Sequence, residues 1–215
     1  MEFHCSFGRG KFPRHAFRDV RSPRWTTSSA WLELDDAIVN RMPDEVRGDE
    51  LQMGGERAGE SYISLMLKDP LTGPAEIRTT CSFDDRMAPL IVLSPTLNDV
   101  HGEHLELVLY DRGLNLWYPY LDENRRPGWH LLGCLDLELK PHTRYRLTAR
   151  TIFNRRGVFL NGECEGHNFA CRLTMPWPER YFAGITACEG RNRFYDFAVR
   201  TGIDLSPAMA ERFTD

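Results

Sequence analysis

GEHLELVLYDRGLNLW (102–117) divides cleanly by parity. Successive side chains of a strand point to opposite faces, so Leu105, Leu107 and Leu109 share one side while His104, Glu106 and Tyr110 share the other. Asp111-Arg112-Gly113 supplies a turn, with glycine where a positive φ is affordable. The returning strand repeats the division, with Leu114 and Leu116 against Asn115 and Trp117. One face is core. The other carries imidazole, carboxylate, amide and indole groups, the mixture of a solvated sheet surface or of a binding wall.

Outward from this hairpin, short apolar or alternating segments predict strands at 62–68, 75–83, 90–94, 104–110, 114–118, 135–139, 144–151, 157–160, 181–187 and 193–200. Gly- and Pro-bearing turns separate them, among them Thr72-Gly73-Pro74, Arg126-Pro127-Gly128 and Asn161-Gly162. No sustained helical stripe occurs, and helix is expected only as a turn near 206–213. Many short strands with polar turns predict an all-β sandwich of two antiparallel sheets. The first sixty residues are less periodic, with a charged stretch over 43–60, and long loops are expected within 8–60. A length of 215 residues suits a single domain over 1–215.

The chain carries 27 basic and 31 acidic residues interspersed along its length, a net charge of −4. No basic stripe points to nucleic acid. No apolar run of about 18 residues points to a membrane span, and MEFHCSFGRGKF at the N-terminus lacks the apolar core of a signal peptide. The expected location is therefore the cytoplasm. The six cysteines (Cys5, Cys81, Cys134, Cys164, Cys171 and Cys188) are scattered rather than framed, so free thiols are expected. Cys164-Glu-Gly-His167 followed by Cys171 has a zinc-like spacing without an evident fourth ligand, so no metal and no cofactor are assigned.

Two stretches, RYRLTARTIFNRRGVFLNGE (144–163) and YFAGITACEGRNRFYDFAVR (181–200), together with the leucine hairpin, resemble the concanavalin A-like lectin and glucanase superfamily. The first resembles that fold's hairpin with an Asn-Gly turn, the second its closing strands. The resemblance implies a jelly roll of two curved sheets in which the first and last strands lie side by side, Phe3–Phe7 beside Phe194–Val199. It also implies a concave sheet that, in many members, binds or cleaves carbohydrate, leaving the site to be argued from residues.

Sugar recognition needs a flat aromatic to stack on ring C–H groups and polar groups to pair with hydroxyls. Trp117 and Asn115 supply these on the hairpin, with Trp129 and His130 nearby, and these four are the expected ligand-binding residues. Glu106 and His104 are the expected acid–base residues, with Tyr110 on the same parity. Glycoside hydrolysis requires a second carboxylate, which Glu76, Glu103 or Glu189 could supply from another strand or loop. WLELDD (31–36) begins like the glucanase Glu-x-Asp-x-Glu motif but stops short of its last Glu. Glu76-Ile77-Arg78 is similar to the Glu-Leu-Arg core of alginate lyases in the superfamily, where the arginine meets a uronate, and this adds Arg78. Asp196 serves either a turn or an arginine, calcium ligation being known in some relatives. The expected partner is an oligosaccharide or glycoside, processed by hydrolysis or elimination. The alternative is a non-catalytic module that binds sugar or protein, with self-association left open.

Overall fold

The computed structural model describes residues 1–21, 31–40, 63–84, 88–97, 103–110, 112–124, 127–188 and 190–203. The first strands are β1 (Glu2–Ser6), β2 (Phe17–Arg21), β3 (Trp31–Glu33), β4 (Ile38–Asn40), β5 (Ile63–Leu67) and β6 (Leu71–Thr72). Then follow β7 (Ala75–Phe83), β8 (Pro89–Ser94), β9 (Leu105–Tyr110), β10 (Gly113–Leu121), β11 (Pro127–Asp136) and β12 (Tyr145–Asn154). The chain closes with β13 (Gly157–Cys164), β14 (His167–Arg172), β15 (Arg180–Ala187), β16 (Asn192–Phe194) and β17 (Asp196–Thr201). A 3-10 turn, Arg14–Ala16, is the helical element among the described residues. The turn expected near 206–213 lies outside them.

The strands form two antiparallel sheets. One, of nine strands among the described residues, runs β14-β13-β12-β7, then continues through β16, β4 and β3 and, at the other end of β7, through β17 and β1. The other, of eight, runs β11-β10-β9-β8-β15-β5-β2 with β6 on β15. First and last strands lie side by side as the resemblance implies, Phe3 opposite Val199 and Cys5 opposite Phe197.

The leucine face of the hairpin is the middle of the core. Leu105, Leu107, Leu109, Leu114 and Leu116 are all buried between the sheets. Leu107 reaches the opposite sheet so closely that a Cβ on Gly162 would come within 2.5 Å of its Cδ1. Gly113 opens β10 at φ +153°, and a Cβ there would meet the Leu135 carbonyl oxygen at 2.1 Å, so the turn needs glycine for conformation and for space. At one side of the sandwich Phe3, Phe7, Phe12, Phe17 and Phe197 pack ring to ring, with neighbouring centroids at 5.4 to 6.5 Å.

Several details depart from the sequence reading. The segment expected as loop over 8–60 contains β2, β3 and β4, whose three to five residues are too few to show a period. The strand expected at 135–139 is the end of β11, which begins at Pro127. β14 was not expected, because HNFACR is half exposed and reads as polar. The strand expected over 193–200 is broken at Tyr195. Asp196 clasps that break by accepting the Thr80 amide at 2.7 Å and the Thr80 hydroxyl at 2.8 Å, which lets both β16 and β17 pair with β7. Asp196 is therefore committed to the turn.

All six cysteines are free. Burial pushes the thiols of Cys5 and Cys164 and the phenol of Tyr181 up to about 12. In the unfolded chain these groups give up their protons at their ordinary, lower pKa values, while the folded chain retains them. Their contribution to stability is whole below about pH 8 and is lost progressively as pH rises toward 12. Melting temperature measured from pH 8 to pH 11 should fall steadily; a flat profile would contradict the burial of these groups. Leu107→Ala, measured by urea denaturation, should cost about 2–5 kcal/mol, because it opens a gap where the two sheets touch.

Candidate binding face

Over β5, β8 and β9 the outer face of the eight-stranded sheet is not a solvated surface. Ladder register sets Val20, Ser64 and Thr186 in one cross-strand row and Met66, Gly184, Val92 and Glu106 in the next. Val20, Met66, Ala88, Leu90, Val92 and Val108 form a second buried apolar cluster there, with Trp117 and Phe182 packed against it. Ser64 and Thr186, both buried, hydrogen-bond to each other at 2.7 Å. Strands β5 and β8 are buried at every position, which is why ISLML and PLIVLS are apolar at both parities.

Two groups capable of proton chemistry lie in this apolar setting. His104 Nε2 stands 2.9 Å from Glu106 Oε1, with only 4% and 8% of the two side chains exposed. With the carboxylate ionised, Nε2 carries the shared proton and donates it. The His104 amide donates to the Pro119 carbonyl at 3.4 Å, tying the start of β9 to β10.

Beside the pair, the face opens to solvent over β10 and β11. Glu106 lies opposite Trp117, Trp117 opposite Leu131, and Pro119 opposite Trp129. Trp129 is 54% exposed and Leu131 48%, against a half-buried Trp117. Trp117 and Trp129 are diagonal cross-strand neighbours, a relation that sets Cα atoms about 7–8 Å apart. Asn115 sits on the same face opposite Cys134 and spends one amide N–H on the Tyr110 carbonyl at 3.2 Å. The result is an exposed apolar step with a buried carboxylate and imidazole at its foot.

The structure thus brings together His104, Glu106, Asn115, Trp117 and Trp129. It does not bring in the other three expected residues. Arg78 lies on β7 in the nine-stranded sheet, on that sheet's outer face, 3.5 Å from Glu76. The whole thickness of the sandwich separates it from Glu106, since sheets pack about 10 Å apart. Tyr110 keeps the parity of Glu106 but sits four residues further along β9, about 13 Å away, and about 20 Å from His104. His130 turns to the opposite face from its neighbour Trp129 and stacks on Tyr120 with centroids 4.5 Å apart; adjacent residues in a regularly paired stretch of strand take opposite faces.

The remaining candidates are occupied elsewhere. Glu76 accepts Arg150 Nε at 2.7 Å on the far sheet. Glu103 hydrogen-bonds the Tyr118 phenol, which burial and this contact push up to about 12. Glu33 accepts Arg14 at 2.9 Å, and Asp35 faces Arg9 at 3.6 Å, both carboxylates lying at the edge of the nine-stranded sheet. Glu189 lies outside the described residues. Cys164 points into the core while His167 is exposed, and among the described residues no trio of His, Cys, Asp or Glu gathers to hold a metal ion.

Leu131, Pro119 and the apolar floor were missed by the sequence reading. The floor had a signal: runs apolar at both parities mark strands covered on both faces. Leu131 had none, because its outward placement depends on an irregularity in the pairing of β10 with β11.

No family model and no curated protein matches the sequence. Solved structures do. The carbohydrate binding module CBM66 from Bacillus subtilis aligns with TM-score 0.58 at 6% identity, over 86% of this chain and 96% of its own. The Emp47p carbohydrate recognition domain aligns with TM-score 0.53 at 12% identity, over 94% and 96%. The Lotus tetragonolobus seed lectin gives TM-score 0.53 at 8% identity, over 93% and 97%. The fold is the concanavalin A-like jelly roll.

On this jelly roll the spacing of carboxylates bears directly on chemistry. Hydrolysis of a glycosidic bond uses two carboxyl groups about 5–5.5 Å apart for retention or about 6.5–9.5 Å apart for inversion. On the described rows of β9 to β11 the other outward carboxylate is Asp136, opposite Gly113. It lies two strands over and four residues along from Glu106, about 16 Å away. That separation serves neither stereochemistry. His104→Ala would take a buried N–H donor from Glu106, and urea denaturation should show a loss of about 1–3 kcal/mol. Glu106→Gln, which keeps the shape and an acceptor oxygen, should cost less.

Proposed function

We propose that this chain is a lectin-like carbohydrate-binding protein that takes its glycan on the outer face of β9, β10 and β11. The observation that carries the reading is the exposed Trp129 and Leu131 set in register with Trp117 and the buried Glu106–His104 pair. Indole faces stack on sugar C–H groups, Asn115 and Glu106 offer amide and carboxylate partners for hydroxyls, and the apolar floor strengthens each hydrogen bond by excluding water. Structural likeness to a carbohydrate binding module, a carbohydrate recognition domain and a seed lectin supports it.

A processing activity is the second reading, and one observation favours it: an imidazole oriented by a carboxylate at 2.9 Å is the arrangement of a general base. Among the described residues, the wide separation of Glu106 from Asp136 supports binding over hydrolysis. Six free cysteines support a reducing, cytoplasmic location.

The test is a glycan array probed with the wild-type chain and with Trp129→Ala, followed by titration and product analysis for each glycan retained. Wild type should bind at least one glycan, and Trp129→Ala should bind it tenfold or more weakly, about 1.4 kcal/mol or above, with an unchanged melting curve. Binding that is indifferent to Trp129 would place the site elsewhere, and product formation abolished by His104→Ala would favour the second reading.

A further inference from the structure

The pairing of β10 with β11 contains one irregularity. Leu116 faces Gly133, yet the next residue, Trp117, faces Leu131, so Leu132 is an extra residue in β11 without a partner in β10. Its consequence is a change of parity within one strand. At the C-terminal side of the bulge, Leu135 and Gly133 lie inward and Cys134 outward; a Cβ on Gly133 would meet Phe169 of the opposite sheet at 2.8 Å. With strict alternation, 131 and 129 would follow 133 and 135 inward, and 132 and 130 would follow 134 outward. Instead Leu132 packs against the core beside Gly133, Leu131 and Trp129 stand half exposed on the outer face, and His130, itself exposed, stacks on Tyr118 and Tyr120 from the inward side of the strand.

From this we infer that the single-residue bulge at Leu132 builds the ligand platform: by holding one residue of β11 out of the ladder it lets Trp129 and Leu131 face outward while Gly133 and Leu135 face inward. A β-bulge re-aims side chains because the extra residue takes one step of the two-residue period without a partner. With Leu132 in a regular ladder opposite Trp117, the outward residues of this arm of β11 would be His130 and Leu132, and Trp129 would point at Tyr120. The inference rests on the platform being the glycan site, but its structural half needs no ligand to be tested.

The experiment places single cysteines at 129 to 133 in a Cys134→Ser background and measures thiol labelling of the folded chain. Two consecutive slow positions, 132 and 133, with fast labelling at 129 and 131, support the bulge, and strict alternation through 132 overturns it. Deletion of Leu132 is the second measurement. With the unpartnered residue gone, Leu131 follows Gly133 directly and still faces Trp117, so oxidation of Trp129 by N-bromosuccinimide, located by peptide mapping, should run at the wild-type rate, and a glycan retained on the array should still bind. Oxidation of Trp129 at least tenfold faster on deletion would place Leu132 in the regular ladder of the wild type and overturn the inference. The bulge's labelling pattern in a chain that binds no glycan in any form would sink the proposed function and leave the bulge's role standing.

Discussion

Everything in this molecule depends on the two-residue period of an extended chain and on where that period is interrupted. In β9 and β10 the period is unbroken, and five leucines fill the space between the sheets. Because Leu107 approaches the backbone of Gly162, the sheets meet without room for slippage, and a shift of one residue would exchange core and surface along the whole hairpin. The leucine face therefore fixes the register of the opposite face, and with it the placement of Glu106 beside Trp117.

The two outer faces of the sandwich solve different problems. On the nine-stranded sheet, Arg150 binds Glu76, Glu163 and Asn161 at 2.7 to 3.0 Å, so the charges of that face are engaged with one another. Such a network holds strands in register at little net gain, since ion pairs near water are screened. The outer face of the eight-stranded sheet carries apolar rows instead. There the Glu106 carboxylate and the His104 imidazole, nearly excluded from water, hydrogen-bond each other, and the cost of separating buried partners holds both rotamers.

How much of this was legible follows from the range of each signal. The hairpin faces, the strands 75–83 and 181–187, and the shared face of His104, Glu106, Asn115 and Trp117 were readable because each depends on residues within one or two turns of chain. Arg78 was misassigned because parity says which side of a strand a residue takes, and nothing about which sheet the strand joins. His130 was misassigned because proximity in sequence was allowed to stand for proximity in space, although neighbours in a strand face apart. β2, β3, β4 and β14 were missed because three to six residues, partly exposed, present no period. The covered outer face was readable and passed over: ISLML and PLIVLS are apolar at both parities, as only strands buried on both sides are.

The bulge at Leu132 marks the boundary of what sequence pattern can deliver. PGWHLLGCLD fits strict alternation poorly at either parity, since Leu131 and Leu132 are adjacent and Trp129 and Gly133 fall on one phase. A pattern reader meets only a weak strand there. The structure resolves the conflict by placing both Leu132 and Gly133 inward, so that the small Gly133 admits Phe169 while the bulky Trp129 and Leu131 go out. Small inside and large outside inverts the usual economy of a sheet edge, where exposed apolar surface invites unwanted pairing. An edge strand that carries tryptophan and leucine to solvent through an inserted residue is accounted for when that surface meets a ligand, and it would otherwise be a liability to the folded chain.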